Sequence, residues 1–231
     1  MERFVAGPGA EVLVGRGLGE RLPERPDRER VAILTQPGAA ANVAGEIATE
    51  LPGVRTTLIE LPDREAAKEL DVVGNIYDRL ADFNLGRHDS VLGVGGGALT
   101  DVAGFVAATW LRGVESVLVP TTLLAAVDAA IGGKTGINRR GKNLVGAFWH
   151  PSRVIVDLDV LDDLPRPLKL EGSAEIIKAG FIADPRIVEA YAESGSDVPL
   201  DVVVPRAVAV KADVVRADFR ESGRRALLNF G

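Results

Sequence analysis

Any chemistry done by this 231-residue chain is done without thiols, because the sequence contains no cysteine. That removes thiolate metal sites, cysteine nucleophiles and disulfides, and leaves carboxylate, lysine, histidine and hydroxyl groups. Those groups gather in a few short blocks. The first is Ser90-Val91-Leu92-Gly93-Val94-Gly95-Gly96-Gly97-Ala98-Leu99-Thr100-Asp101, an apolar strand, a glycine turn and the start of an apolar-periodic helix. Glycine lets the backbone approach a phosphate, and the helix N-terminus behind the turn offers unpaired N–H groups and a positive dipole end. Four glycines in five residues exceed what a tight turn needs, although a ligand-free βα turn is the plain alternative. Gly93-x-Gly95-x-x-Ala98 satisfies the dinucleotide fingerprint in form. It stands about ninety residues into the chain, however, and the next strand ends Pro120-Thr121-Thr122 without an acidic residue to hold a ribose.

The second block is Asp128-Ala129-Ala130-Ile131-Gly132-Gly133-Lys134-Thr135, followed by Gly141-Lys142-Asn143. A P-loop would need glycine where Asp128 stands, so ATP is not supported. Two lysines and an amide in a glycine-rich loop can grip the phosphate, carboxylate or hydroxyls of a small anion; the other reading is a solvated loop. In Ser173-Ala174-Glu175-Ile176-Ile177-Lys178, Glu175 and Lys178 share one helix face. They are either an exposed ion pair or a metal-ligating carboxylate beside an anion contact. Arg225 and Asn229 stand four residues apart, with Lys211 on the preceding helix, and each taken singly reads as a surface residue. His88 and His150 resemble neither a metal pair nor a triad and read as structural.

The elements that must position these groups come from the hydrophobic pattern. Apolar, β-branched runs at 11–14, 30–35, 57–61, 90–94, 116–120 and 153–157 alternate with longer amphipathic stretches, the pattern of strands feeding crossover helices in a largely parallel sheet. Val91-Leu92-Gly93-Val94 and Val117-Leu118-Val119 do not alternate with polar residues, which predicts strands covered on both faces. After Pro165-Arg166-Pro167, which reads as a hinge, the period becomes helical over 171–183, 185–193 and 201–219. The expected fold is an α/β domain over 1–165 followed by an all-α segment over 166–231. Lys and Arg total 27 against 33 Asp and Glu, a formal net charge of −6. Residues 166–231 carry ten of each sign, so the whole excess lies in 1–165. An acidic balance argues against a nucleic-acid partner. Without an apolar leader or a run of about eighteen uncharged apolar residues, a soluble cytoplasmic protein with no membrane partner is expected.

Read together, Gly95 through Phe105, Val119-Pro120-Thr121-Thr122-Leu123-Leu124, Asp128 through Thr135, Gly141-Lys142-Asn143 and Ala174-Glu175-Ile176-Ile177-Lys178 resemble the 3-dehydroquinate synthase family in order and spacing. The likeness is dense from Gly93 onward and rests upstream on Leu61-Pro62-Asp63-Arg64-Glu65-Ala66-Ala67-Lys68. It implies a two-domain lyase of the shikimate pathway, serving aromatic amino acid and chorismate biosynthesis. That lyase converts 3-deoxy-arabino-heptulosonate 7-phosphate to 3-dehydroquinate, with NAD and a divalent metal, zinc or cobalt, in the interdomain cleft. A transient ketone acidifies a neighbouring C–H, phosphate leaves, the ketone is reduced again, and an intramolecular aldol step closes the ring.

Carried over position by position, the resemblance makes Asp63, Glu65 and Lys68 ribose and adenosine contacts. Gly95, Gly96, Gly97, Ala98, Leu99, Thr100 and Asp101 become the pyrophosphate loop, and Thr121 and Thr122 nicotinamide-side contacts. Val160, Leu161, Asp162 and Asp163 become a nucleotide-contacting turn, and Lys142 a cofactor-loop lysine. Asp128, Lys134, Asn143, Lys178, Lys211, Arg225 and Asn229 match the catalytic, substrate-contacting set, with Lys134 also touching the cofactor, and Glu175 matches a metal ligand. Arg112 matches an arginine that reaches across a dimer interface, which implies a homodimer.

The sequence departs from the family in two places. Arg139-Arg140 makes one loop a residue shorter, and two histidine metal ligands that family members carry after Asn229-Phe230-Gly231 are absent. Glu175 alone does not hold catalytic zinc, which takes about three protein ligands. The expectation is a chain cut short before its metal histidines, one that binds NAD better than it catalyses and exposes apolar faces of its helical segment. Three rivals stand beside it: a sister sugar phosphate cyclase making 2-deoxy-scyllo-inosose or a valiolone, an alcohol dehydrogenase of the glycerol dehydrogenase type, and a non-catalytic NAD-binding remnant. Lys211, Arg225 and Asn229 together favour the dehydroquinate branch.

Overall fold

The computed structural model describes residues 1–17 and 28–229. Among the described residues nine strands form: β1 (Glu2–Ala6), β2 (Ala10–Gly15), β3 (Arg30–Thr35), β4 (Arg55–Glu60), β5 (Ser90–Gly95), β6 (Glu115–Pro120), β7 (Lys134–Ile137), β8 (Val145–Phe148) and β9 (Arg153–Asp157). Seven of them make one sheet in the order β1-β2-β9-β6-β5-β3-β4, and β7 and β8 pair as a separate hairpin. Every pairing in the large sheet is parallel except β1 with β2 at one edge. Successive residues of one strand enter different apolar clusters, Ala32 and Leu34 on one face and Val31 and Ile33 on the other. This double burial is why the central strands read as unbroken apolar runs.

The helices are α1 (Ala39–Thr49), α2 (Leu70–Asp82), α3 (Gly97–Thr109), α4 (Leu158–Asp162), α5 (Arg166–Ile182), α6 (Pro185–Ser194) and α7 (Leu200–Ala217). Ala44 and Ile47 of α1 cover one face, while α2, α3, α5 and α7 contribute to the larger cluster on the other. The two prolines at the expected hinge open α5, Pro165 as its N-cap residue and Pro167 in its first turn, where a missing N–H costs nothing. Three strands went unforeseen. Only Ala6 of edge strand β1 is buried, and β7 and β8 carry glycines that weaken a strand signal. Tertiary contact stabilises the hairpin, since a Cβ at Gly104 of α3 would stand 2.4 Å from Thr135 Cγ2.

Two features bear on function. The sheet order reverses between β3 and β5, because β3 leads to β4 on one side and β5 to β6 on the other. In such sheets the crevice outside the strand C-termini at the reversal is where ligands bind. Helix α5 turns Leu170, Ala174 and Phe181 outward, with Leu170 49% and Phe181 66% exposed. Among the described residues no helix is long and apolar enough to cross a membrane.

Candidate functional site

The glycine turn stands at the reversal point, between the end of β5 and the start of α3. A Cβ at Gly93 would lie 2.6 Å from Ala103 Cβ, and one at Gly95 would lie 2.8 Å from Leu99 Cδ2. These two glycines let α3 pack directly against the strand. Gly96 caps α3 without a side-chain hydrogen bond, and no acidic residue occupies the first turn, so the helix dipole and its free N–H groups face the crevice. Added Cβ atoms at Gly96 and Gly97 would come within 3.3 Å of Thr122 and 3.2 Å of Ala129. Bare backbone, a free helix N-terminus and this close packing fit the pyrophosphate of a dinucleotide. Ala98 is half-buried and Leu99 and Thr100 are buried, with Thr100 Oγ1 donating to Gly97 O at 3.0 Å. Thr121 is buried beside the turn, its N–H donating to Gly95 O at 2.9 Å. Thr122 Oγ1 accepts the Ala125 N–H at 3.2 Å.

Around this turn stand the other residues assigned to a cofactor. Asp63 caps the short helical turn Arg64–Lys68, accepting the Arg64 N–H at 2.9 Å. Lys68 is buried, and its Nζ donates to Asp101 Oδ2 at 2.5 Å and to Asn143 Oδ1 at 2.8 Å. Burial pushes the Asp101 carboxyl up to about 6, against the pull of Lys68. A hydrogen bond from Asn138 holds the Glu65 carboxyl below its usual range, and Lys142 Nζ stands 3.9 Å from Glu65. Asp162 is held by Arg16 at 2.8 Å, Asp163 is exposed and Val160 half-buried. Leu161 is wholly buried in the core, so only its backbone can face a ligand.

A second group lies where α5, α7 and the short helical turn Arg224–Asn229 meet the end of the glycine-rich block. A π-helical turn, Ala125–Ala129, carries Asp128, and such irregular turns often mark functional sites. Asp128 is ion-paired with Lys211. Burial lowers the Lys211 pKa while Asp128 opposes the shift. Lys134 pairs with Glu221, which also accepts from Asn229 Nδ2 at 2.8 Å. Both contacts lower the Glu221 carboxyl pKa, that with Lys134 the more. Lys178 pairs with Glu175 on α5 and donates to Leu228 O at 3.0 Å. Glu175 Oε2 is buried, and the Lys178 ammonium is its partner.

Arg225 is 2% exposed and donates to Gly132 O at 2.8 Å and Phe219 O at 2.6 Å. It braces the turn before Lys134, where a Cβ at Gly132 would stand 2.4 Å from the guanidinium. Arg225 and Lys178 both act electrostatically on Lys211, and Glu221 and Asp128 on Arg225. The seven charged groups and Asn229 therefore form one cluster.

Glu221 was not singled out in the sequence, although Glu221, Arg225 and Asn229 recur every four residues. Asn138, at the start of the shortened Arg139-Arg140 loop, was likewise given no role. Arg112 is exposed on the turn Trp110–Arg112, where Leu111 (φ 50), Arg112 (φ 68) and Gly113 (φ 127) are all left-handed, and it shares none of these contacts. His88 is exposed, and His150 packs edge-on against Phe219. Among the described residues no three His, Cys, Asp or Glu side chains form a group able to hold a metal. Glu175 alone does not fit zinc or cobalt.

Comparison with known proteins follows the same division. Residues 58–170 match the family model described as 3-dehydroquinate synthase N-terminal, and residues 172–231 match 3-dehydroquinate synthase C-terminal. A 3-dehydroquinate synthase of Mycolicibacterium gilvum (strain PYR-GCK) is 52% identical over 235 residues, covering 97% of this chain and 65% of the relative. The chain thus spans just under two thirds of that relative's length. Among solved structures, 2-epi-5-epi-valiolone synthase from Streptomyces hygroscopicus subsp. jinggangensis 5008, with NAD+ and Zn2+ bound, superposes with a TM-score of 0.85 at 28% identity. That match covers 95% of this chain and 64% of the neighbour. A 2-deoxy-scyllo-inosose synthase complexed with carbaglucose-6-phosphate, NAD+ and Co2+ gives 0.88 at 23% identity over 99% of this chain and 66% of that one, a likeness of fold.

Proposed function

The chain belongs to the 3-dehydroquinate synthase family, and on that premise we propose that it carries the cofactor site and much of the substrate site of a 3-dehydroquinate synthase. The reaction is the conversion of 3-deoxy-arabino-heptulosonate 7-phosphate to 3-dehydroquinate and phosphate. One observation carries the reading. Lys134, Lys178, Lys211 and Arg225 converge with Asp128, Glu175, Glu221 and Asn229, and the π-helical turn bearing Asp128 begins from Thr122, beside the uncapped N-terminus of α3.

The described residues fit NAD at the glycine turn, and the valiolone synthase neighbour is a complex with NAD+. Bound there, NAD supplies a hydride acceptor that the cycle regenerates. Gly96 and Gly97 would present their N–H groups to its pyrophosphate, with Lys68 and Glu65 on the nucleotide side. Lys134 and Lys178 each rest on a carboxylate in the free protein. A substrate phosphate and carboxylate can take over those ammonium groups, which frees Glu221 to accept a proton from a group held by Lys134 and Asn229. Lys211, paired with Asp128, holds a further anionic oxygen. One carboxylate, Glu175, does not make a zinc or cobalt site.

The same proposal takes 1–165 as the cofactor domain and 166–231 as the start of the substrate domain. It places a homodimer in the cytoplasm, with exposed Arg112 turned to the partner.

The test is phosphate release by the protein at its natural length, offered 3-deoxy-arabino-heptulosonate 7-phosphate, glucose 6-phosphate or sedoheptulose 7-phosphate with NAD and zinc. Release from the first alone, without net NADH, is expected. Turnover of only the other two sugars, net NADH from a polyol, or NAD binding with no phosphate release would each overturn the assignment.

A further inference from the structure

Two turns that the family resemblance assigns to different ligands, Glu65 and Lys68 to the cofactor and Asn143 to the substrate, are tied together by a side chain that has no assigned role. The connection 138–144 between β7 and β8 presents Lys142 and Asn143, and the turn Arg64–Lys68 presents Glu65 and Lys68. Asn138 lies between them. Its Oδ1 accepts the Asn143 N–H at 2.9 Å, its Nδ2 donates to Glu65 Oε2 at 3.0 Å, and its own N–H donates to Lys68 O at 2.9 Å. A backbone N–H only donates and a carboxylate only accepts, so these partners fix which way the amide points. Lys68 closes the ring by donating to Asn143 Oδ1 at 2.8 Å. Asn143 itself is held at φ 55, a left-handed conformation that asparagine adopts more readily than most residues. The bond from Asn138 closes the turn around it.

We propose that Asn138 is a positioning residue that joins the Glu65–Lys68 turn and the Asn143 turn into one hydrogen-bonded unit, so that NAD bound against the first orders the second, where substrate is held. The inference rests on the reading of Glu65 and Lys68 as cofactor-side and Asn143 as substrate-side. A carboxylate acceptor strengthens the link, because charge-assisted hydrogen bonds are the stronger kind.

Amide hydrogen exchange with and without NAD, on the unsubstituted protein, Asn138→Ala and Asn138→Asp, tests it. Without NAD, the Asn143 amide should exchange roughly ten-fold faster in Asn138→Ala, the scale of one lost hydrogen bond. Asn138→Asp, which keeps the acceptor, should restore its protection. With NAD, both turns should slow in the unsubstituted protein. In either variant 138–144 should slow less than 64–68, because the donor to Glu65 is gone and only the Lys68–Asn143 bond and the backbone bond from residue 138 still join the turns. Should Asn138→Ala fail to fold, the isosteric Asn138→Asp decides the coupling alone. The proposal is overturned if Asn143 stays equally protected in Asn138→Ala, or if NAD slows both turns equally in Asn138→Asp. Protection of 64–68 and 95–101 by NAD without any effect at 138–144 in the unsubstituted protein would overturn the coupling alone. Absence of NAD protection at 64–68 and 95–101 would sink the cofactor reading and the coupling together.

Discussion

Burial pulls the Lys211 pKa down, and the Asp128 carboxylate facing it opposes that shift. Asp128→Ala should therefore leave an unpaired ammonium on a side chain only 11% exposed. The expected loss is about 1–3 kcal/mol in urea unfolding, below the full value for a buried pair because Asp128 itself is partly solvated. A loss too small to measure would mean that Lys211 finds water or another partner. Asp101 presents the opposite balance, its carboxyl raised from 3.8 to about 6 by burial. The folded state then binds the proton more tightly than the unfolded chain, so this group's contribution to stability is full below about 3.8 and lost as pH rises through about 6. The difference in unfolding free energy between the unsubstituted protein and Asp101→Asn should fall across that window. A difference independent of pH would remove burial as the cause.

Helix α3 meets β5 through glycines that do different jobs. At Gly93 a methyl group would stand 2.6 Å from Ala103 Cβ, and neither atom can rotate away. Gly93→Ala should therefore destabilise by about 1–3 kcal/mol, the usual cost of overpacking. Gly96 has ordinary extended backbone (φ −76), and its added methyl would meet Thr122 Cγ2 at 3.3 Å. Gly96→Ala should leave the melting temperature nearly unchanged while weakening NAD binding, read by calorimetry. Unchanged affinity would take the glycine turn out of the cofactor site. At the other end of the same strands, Arg28 Nη2 donates to Glu115 at 2.5 Å and Arg28 Nε to Ser90 Oγ at 2.9 Å. The two charged side chains are 5% and 6% exposed, so Glu115→Gln should cost about 3–5 kcal/mol of stability. A cost below about 1 kcal/mol would show that the pair is dispensable.

Over the whole molecule, one large apolar cluster runs from the sheet into the helices of the second half, yet α5 still turns Leu170 and Phe181 to solvent. An exposed apolar stripe of that kind binds hydrophobic dyes and promotes self-association. Phe181→Ser should lower dye fluorescence and light scattering of the 231-residue chain, and no change in either would show that the stripe is inert. The strand, glycine turn and helix spanning 90–109, the central parallel strands and the three long helices were legible from the sequence by itself. Their signals are local, carried by period, by proline and glycine positions and by residues a few places apart. The family blocks likewise named most of the residues that the structure gathers into two groups. Only the tertiary structure decided how those residues pair. Lys68 meets Asn143 75 positions away and Lys211 meets Asp128 83 positions away, while Glu221 comes to lie between Lys134 and Asn229. Strands β1, β7 and β8 belong to the same class, since each depends on a partner that a local pattern does not encode. The physical reason is that propensity acts within a turn or two of the chain. Which lysine faces which carboxylate depends on strand order and helix packing, and those exist only once the loops between them have closed.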